Sequence, residues 1–539
     1  MAEKIALIWP EITLFITTCV VMILGLSPNK QWRSLCLPAS MAGLAVAGVL
    51  AAIGMSNSPQ GDTMLPNMPG FVKVVVAVVG LMLILLQSGL IDRREEALVS
   101  AGRTFSPLRT NRAEYFSLVL FSLTGLMLCA SAGDLIWLFL ALELTSLPTY
   151  VMVAMSSSRG RAQEAGVKYF YLGALGAATF LYGFVMLYGG TGTLKLDVMA
   201  GIIAAEGINN ITMIGLLLSI AGLAFKIAAV PMHFYTADVY QGAAAPVTAF
   251  LAFVPKTAGF VALLLICSVA GWSAGAGGDG LPEAVRVMLW VMAAVTMTVG
   301  NVLAILQNSV KRMLAYSSIA HSGYMLVGVL AGPGDGTFAA SGVSAVLFYL
   351  AAYGVTNTGA FAVIACLEKR AADRGEPMEV EDFDDLRGLW RREPALGVVL
   401  AIVSLSLLGF PPLLGFMAKL PLFTAGIAAG EIALVVILGV NSAIAAFYYL
   451  RLVKAAMIDD ANGSADSPDR PEHHPAYGLR FATGAISAVG VVVLAALAGQ
   501  LAVSATNASI YAEPMTAGDT GGLITVQEER EPESAAPSV

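Results

Sequence analysis

The sequence predicts an all-α polytopic membrane protein, and three observations carry that prediction. Of its 539 residues, 57% are hydrophobic and only 12% charged. Its mean hydropathy is +0.77. Its apolar residues also fall into runs of about 20, the length that crosses a bilayer as a helix. Soluble domains average about 45–50% apolar and about 25% charged, so this chain has too few charges to cover a surface facing water.

Taken in order, the apolar runs predict about fourteen spans: 5–26, 37–54, 71–91, 114–131, 134–155, 165–189, 211–230, 243–270, 287–307, 314–331, 342–367, 394–425 with an interruption, 431–453 and 480–502. The first run holds Glu11 and lacks a basic leader and a small-residue cleavage site, so it reads as a span and not a removable signal. The tail from Glu513 to Val539 is rich in Glu, Ser, Pro and Gly, a composition that predicts disorder.

The bases set the orientation. Twenty-one of the 30 Lys and Arg residues lie in loops after odd-numbered spans, and two, Lys195 and Arg286, lie in loops after even-numbered ones. The positive-inside rule places the odd loops in the cytoplasm, so both termini are expected on the outer, periplasmic side. The net charge of −7 comes from short loops and the acidic tail, and no basic patch points to nucleic acid.

Five lysines remain inside apolar runs: Lys73, Lys168, Lys226, Lys256 and Lys419. A lysine at mid-span costs roughly 2.5–3.5 kcal/mol on insertion scales. Five would therefore offset about as much free energy as a whole fold provides. Lys73 and Lys168 lie near span ends, the latter four residues after Glu164, and are expected to snorkel. Lys226, Lys256 and Lys419 lie deeper, in "GLAFKIAAVP", "FLAFVPKTAGF" and "LLGFPPLLGFMAKL". One carboxylate matches them, Glu143 in "LIWLFLALELTSLPTYVMVAM". A glutamate at that depth is neutral or paired. Two histidines, His233 just after Pro231 and His321 in "LAYSSIAHSGYMLVGVL", add groups that titrate near neutral pH.

Pro231 and the pair Pro411 and Pro412 interrupt the seventh and twelfth runs. Such breaks persist at membrane depth only where protein or a wet cavity surrounds them. Paired broken helices in two halves of a chain point to an inverted repeat, here spans 4–8 and 9–13. Burial disfavours a charged ammonium and a carboxylate within reach favours it, so a Glu–Lys pair that forms and separates switches a lysine between holding and releasing a proton. The KT of "VPKTAGF" lacks the glycines of a phosphate-binding loop. The five cysteines, Cys19, Cys36, Cys129, Cys267 and Cys366, form no C-x-x-C pair and read as small core residues.

The segments "LALELTSLPTYVMVA", "AFKIAAVPMHFYTADVYQGAAAPVTAFLAFVPKTAGF", "LQNSVKRMLAYSSIAHSGYMLVG" and "LLGFPPLLGFMAK" together resemble the antiporter-like membrane subunits of respiratory complex I, over about residues 100–455. The opening "LIWPEITLF", a lysine at the twelfth-span site and the absence of a long lateral helix resemble most the subunit N branch of that family in bacterial NADH:quinone oxidoreductase. The resemblance implies an N-terminal three-helix segment (1–100), two five-helix repeats (101–275 and 284–455), a C-terminal helix (456–505) and the tail (506–539). It implies that Glu143 pairs with Lys226 as a switch, that Lys256 is the central proton carrier and that Lys419 is the terminal one. His233 and His321 would belong to the polar axis between them, and Lys168 to its inter-subunit side. It further implies no cofactor in this chain, with FMN, iron–sulfur clusters and quinone in partner subunits. The expected neighbours in a bacterial inner membrane are subunits M, K and J. A subunit of a multi-subunit cation/proton antiporter shares the same lysines and breaks, and a purely structural membrane subunit is the other alternative.

Overall fold

The computed structural model describes residues 7–55, 64–88, 110–157, 160–273, 280–367, 380–460 and 476–512, with short pieces at 90, 98–99, 102, 104–106, 369–370 and 377–378. The expected disordered tail, from Glu513 onward, lies outside the described residues. The described residues are almost all helical. Its helices are α1 (Trp9–Gly25), α2 (Lys30–Ser34), α3 (Cys36–Met55), α4 (Met68–Leu86), α5 (Arg112–Ala130), α6 (Leu135–Met155), α7 (Gly160–Thr191), α8 (Leu196–Glu206), α9 (Asn210–Lys226) and α10 (Tyr235–Gly242). There follow α11 (Ala245–Ala270), α12 (Glu283–Ile305), α13 (Val310–Ala331), α14 (Gly342–Cys366), α15 (Leu389–Arg392), α16 (Pro394–Leu408), α17 (Leu414–Ala428), α18 (Ile432–Met457), α19 (Tyr477–Ala496) and α20 (Ala498–Ala508). A two-residue strand pair, Lys369–Arg370 with Pro377–Met378, is the sheet among the described residues.

Among the described residues, eleven helices are long and apolar enough to cross a membrane, and α1, α9, α16 and α17 are shorter apolar helices. The eleven, together with α1 and the interrupted elements α9–α10 and α16–α17, correspond in order to the fourteen expected spans. Short polar side chains start several of them. Asp134, Asn209, Ser309 and Ser341 each accept a hydrogen bond from a backbone N–H in the first turn of α6, α9, α13 and α14, which satisfies donors the helix cannot.

Burial is uneven, and that places the core. The most apolar stretches of α11 and α14 are wholly enclosed by protein and that of α13 nearly so, whereas α3, α7 and α19 are enclosed over a third of theirs or less. Polar residues in a bilayer collect where protein surrounds them, and the three enclosed helices carry Lys256, His321 and a run of serines and tyrosines. Where helices meet, small residues let backbones approach. A Cβ on Gly183 of α7 would sit 2.5 Å from the Ser219 nitrogen of α9.

One expectation is corrected. Lys73 does not snorkel: its side chain is 2% exposed and pairs with Glu11 at 2.8 Å, while its ammonium donates to the Leu7 carbonyl at 2.6 Å. The fold brings α1 to the start of α4, and a lysine with a buried carboxylate beside it has no need to reach water.

Candidate proton-transfer site

The interruption at Lys226 is built on a specific backbone motif. Helix α9 ends at Lys226, ahead of Pro231. Ala228 takes a left-handed conformation, φ 55°. Its N–H donates to Phe225 O at 3.0 Å, and the Ala229 N–H donates to Ala224 O at 2.8 Å. This is the Schellman helix stop, which usually has glycine in the left-handed position. Other elements take up the groups around it. Phe225 O accepts from the Tyr235 hydroxyl at 2.8 Å, Ile227 O from Ser322 Oγ at 2.5 Å, and the Val230 N–H donates to Thr296 Oγ1 at 3.0 Å.

The same motif recurs at the second interruption. Gly409, φ 88°, follows α16; its N–H donates to Ser406 O at 2.9 Å and that of Phe410 to Leu405 O at 3.0 Å. Three residues after the left-handed position lies a proline, Pro231 in one case and Pro412 in the other, each in a cis peptide. The carbonyl that Ser322 takes at the first break has its counterpart in Leu408 O. There the donor is the Lys419 ammonium, at 2.7 Å, from the second half-helix. The lysines thus lie on opposite sides of their breaks: Lys226 ends the first half-helix, and Lys419 reaches back from the second.

Lys226 is fully enclosed and has two partners on α6, three residues apart. Its Nζ lies 3.1 Å from Glu143 Oε1 and donates to Ser146 Oγ at 2.6 Å. Glu143 is the more open partner, with 18% of its side chain exposed. Gly259 of α11 permits this end of α9 to lie close, since a Cβ there would come within 2.8 Å of Lys226 Cβ. One turn earlier on α11 stands Lys256, and a cavity of about 10 Å³ lies between the two lysines, lined by Thr236, Tyr240 and Tyr169. That is about the smallest space that holds a water. The buried Thr236 hydroxyl beside it has no partner among the described residues.

From Lys256 the polar path runs along α13. The Lys256 ammonium donates to Ser318 through both its carbonyl and, at 2.5 Å, its hydroxyl. Tyr240 lies 3.3 Å from the same hydroxyl. Three residues along α13 stands His321, whose Nδ1 lies 2.5 Å from the Tyr349 hydroxyl and whose Nε2 lies 2.9 Å from that of Tyr449. Tyr449 also bonds Ser317. The Lys419 ammonium sits 5.0 Å from the ring centroid of Tyr324, again on α13. Neither Lys256 nor Lys419 has a carboxylate within ion-pair distance among the described residues. A single helix therefore touches both breaks and all three deep lysines or their immediate neighbours.

The geometry joins Glu143 to Lys226 and Lys256 to Ser318, with His321 three residues further along α13 and bonded to Tyr349 and Tyr449. It leaves His233 aside: its ring is buried, and Nδ1 has no partner among the described residues. Lys168 lies at the surface, paired with Glu164 at 2.7 Å and Asp238 at 3.2 Å. Asp238 in turn binds Arg312 at 2.7 Å, which ties α7, α10 and α13 together. Sequence reasoning missed Ser146, Ser318, Ser322, Tyr349 and Tyr449. The pattern "SSIAHS" was the available signal, because hydroxyls at Ser318 and Ser322 and a histidine at 321 repeat at helical spacing.

Hydroxyls, an imidazole and ammonium groups set along one membrane helix bundle are groups able to take up and pass protons, and the sequence comparisons agree with a class of protein that moves them. Residues 132–445 match the family described as NADH:quinone oxidoreductase/Mrp antiporter, TM. The chain belongs to this family. Within it, NADH-quinone oxidoreductase subunit N of Trichlorobacter lovleyi is 36% identical over 451 residues, 83% of this chain and 86% of that protein. Subunit N of Rhodospirillum rubrum is 37% identical, covering 85% of this chain and 88% of that protein. The chain groups with the subunit N proteins. Among solved structures, a chain of respiratory complex I from Thermus thermophilus with bound aureothin superposes with a TM-score of 0.70 at 31% identity, over 92% of this chain and 98% of that one. A chain of the Mrp complex from Dietzia sp. DQ12-45-1b reaches 0.75 at 21% identity, over 96% and 98%. That second likeness shows the fold alone, so the fold does not separate oxidoreductase subunit from antiporter subunit, whereas sequence does.

Proposed function

We propose that this chain is the proton-translocating subunit N of a bacterial NADH:quinone oxidoreductase. The observation that carries the reading is the Glu143–Lys226 pair at the end of a broken helix, one water-sized cavity away from Lys256. While Glu143 stays beside it, Lys226 holds its proton. When the carboxylate withdraws or is neutralised, burial favours release, and the proton passes through the cavity to Lys256. Ser318, Tyr449 and His321 then carry it towards Lys419 and out. Each charge moved outward against 100 mV takes about 2.3 kcal/mol. Quinone reduction supplies this in partner subunits that hold FMN, iron–sulfur clusters and quinone. Subunits M, K and J are the proposed neighbours, Lys168 is assigned to the inter-subunit side, and His233 serves as a side group of the axis near the first break.

We further read spans 4–8 and 9–13 as two five-helix repeats of opposite orientation. The recurrence of one backbone motif at Ala228 and Gly409, each with a proline three residues on, supports that reading. An odd number of helices per repeat requires the inversion.

The test is Lys256→Ala in the assembled complex, reconstituted in vesicles. NADH-driven acidification is expected to fall by at least about tenfold, equivalent to roughly 1.4 kcal/mol in a barrier, with the complex still assembled. Intact pumping in this variant removes the basis for the mechanism. Sodium-dependent proton exchange by an assembly lacking NADH- and quinone-binding subunits transfers the chain to the antiporter reading.

A further inference from the structure

At the membrane end opposite the outer termini, the N-terminal helices enclose a polar cavity that the proton path does not use. Its volume is about 190 Å³, and Arg33, Gln87, Ser88, Arg112 and Tyr115 line it. These residues come from α2, from the C-terminal end of α4 and from the start of α5, all at the face that bears the odd-numbered loops. Arg33 is oriented by the carbonyls of Ser27 and Pro28, at 3.0 and 2.8 Å, and by the Phe105 ring beneath its guanidinium, 4.0 Å from the centroid.

Two further side chains mark the cavity as built for a ligand. Gln87 is 1% exposed and Tyr115 fully buried. Neither the Gln87 amide nitrogen, its oxygen nor the Tyr115 hydroxyl has a partner among the described residues. Buried polar groups are paired in folded proteins, and an orphan calls for an explanation. Two guanidinium groups beside amide and hydroxyl donors match a phosphate's oxygens. Leu37 and Phe116, also in the lining, supply an apolar flank. Basic pockets between transmembrane helices on the positive side hold anionic headgroups.

We propose that this cavity binds the phosphate headgroup of an anionic phospholipid, seated between α2, α4 and α5. The headgroup pairs with Arg33 and Arg112 and with the otherwise unpaired Gln87 and Tyr115, and its glycerol end lies against Leu37 and Phe116. It pins the N-terminal three-helix segment to the first helix of the larger bundle.

The experiment is native mass spectrometry of the full chain in detergent, titrated with phosphatidylglycerol or with phosphatidylcholine. One phosphatidylglycerol is expected to be retained with about tenfold preference, a difference of roughly 1.4 kcal/mol. Arg112→Gln and Gln87→Leu should each abolish most of that preference. Arg286→Gln, at the opposite membrane end, should leave it unchanged. Thermal unfolding is followed for every variant. Where Arg112→Gln does not fold, Ser88→Leu, which fills the cavity without removing a charge, takes its place. Equal retention of phosphatidylcholine overturns the proposal, as does undiminished phosphatidylglycerol binding in the folded cavity variants. Displacement of the lipid by millimolar inorganic phosphate assigns the cavity to a free anion and overturns it too.

Discussion

Lys226 is held by a carboxylate and a hydroxyl on one turn of α6, and removing each has a different consequence. Taking one member from a buried pair leaves the other charge unpaired and costs about 3–5 kcal/mol, whereas replacing both with apolar residues of similar volume is close to neutral. Glu143→Leu alone is therefore expected to destabilise the chain by that amount, reduced in proportion to the carboxylate's partial exposure. The double variant Glu143→Leu with Lys226→Leu should recover most of the loss while leaving proton transport abolished. Thermal unfolding of both variants in detergent, alongside pumping in vesicles, checks this. A double variant that stays as unstable as the single one shows that the pair is not the interaction at stake. At this scale the sequence was informative wherever a charge stood out against an apolar background. It said nothing of Ser146 or Tyr449, because a hydroxyl in a membrane helix is ordinary until the fold shows what it faces. Glu11 and Lys73 were both visible as charges. Their pairing was not, since it depends on α4 packing against α1 from far along the chain.

Among elements, the two interrupted helices decide how the lysines are presented. Prolines announced both breaks in the sequence, but they do not mark where the helices stop. The stop in α9 comes from the left-handed Ala228, for which the sequence carries no glycine signal, while Gly409 does the same at α16 with the residue that suits it. A left-handed non-glycine residue costs about 1–2 kcal/mol. Ala228→Gly is accordingly expected to stabilise the chain by roughly 1 kcal/mol, after allowing for glycine's extra freedom when unfolded. Ala228→Val, with a branched side chain forced into the same conformation, should destabilise it by more than that. Unfolding midpoints in detergent measure both. A stabilising valine contradicts the assigned helix stop. Helix α13 is the other element of consequence. Its Ser322 donates to a carbonyl at the first break and its Tyr324 lies beside the lysine of the second, so one helix contacts both breaks.

For the molecule as a whole, the charge distribution makes a claim about sidedness that the packing allows to be followed through the chain. The C-terminal residues after α19 bind three separate places. The Ala512 N–H donates to Met64 O at 2.9 Å, Ser341 Oγ donates to Ser509 Oγ at 3.2 Å, and the Tyr511 hydroxyl donates to Ser268 O at 3.1 Å. Those partners precede α4, precede α14 and end α11. In the order of spans, all three lie at the ends next to even-numbered loops, where bases are scarce. Their meeting on one face fits the order of spans that gives an even number of crossings. The positive-inside rule predicts that this face is periplasmic. The expected outcome is an active alkaline phosphatase fused after Val539. A fluorescent protein inserted near residue 465, in a loop after an odd-numbered span, should in turn fold and fluoresce. An inactive phosphatase with a fluorescent C-terminal fusion instead inverts the chain, and with it the direction in which Glu143, Lys226, Lys256 and Lys419 are proposed to pass a proton.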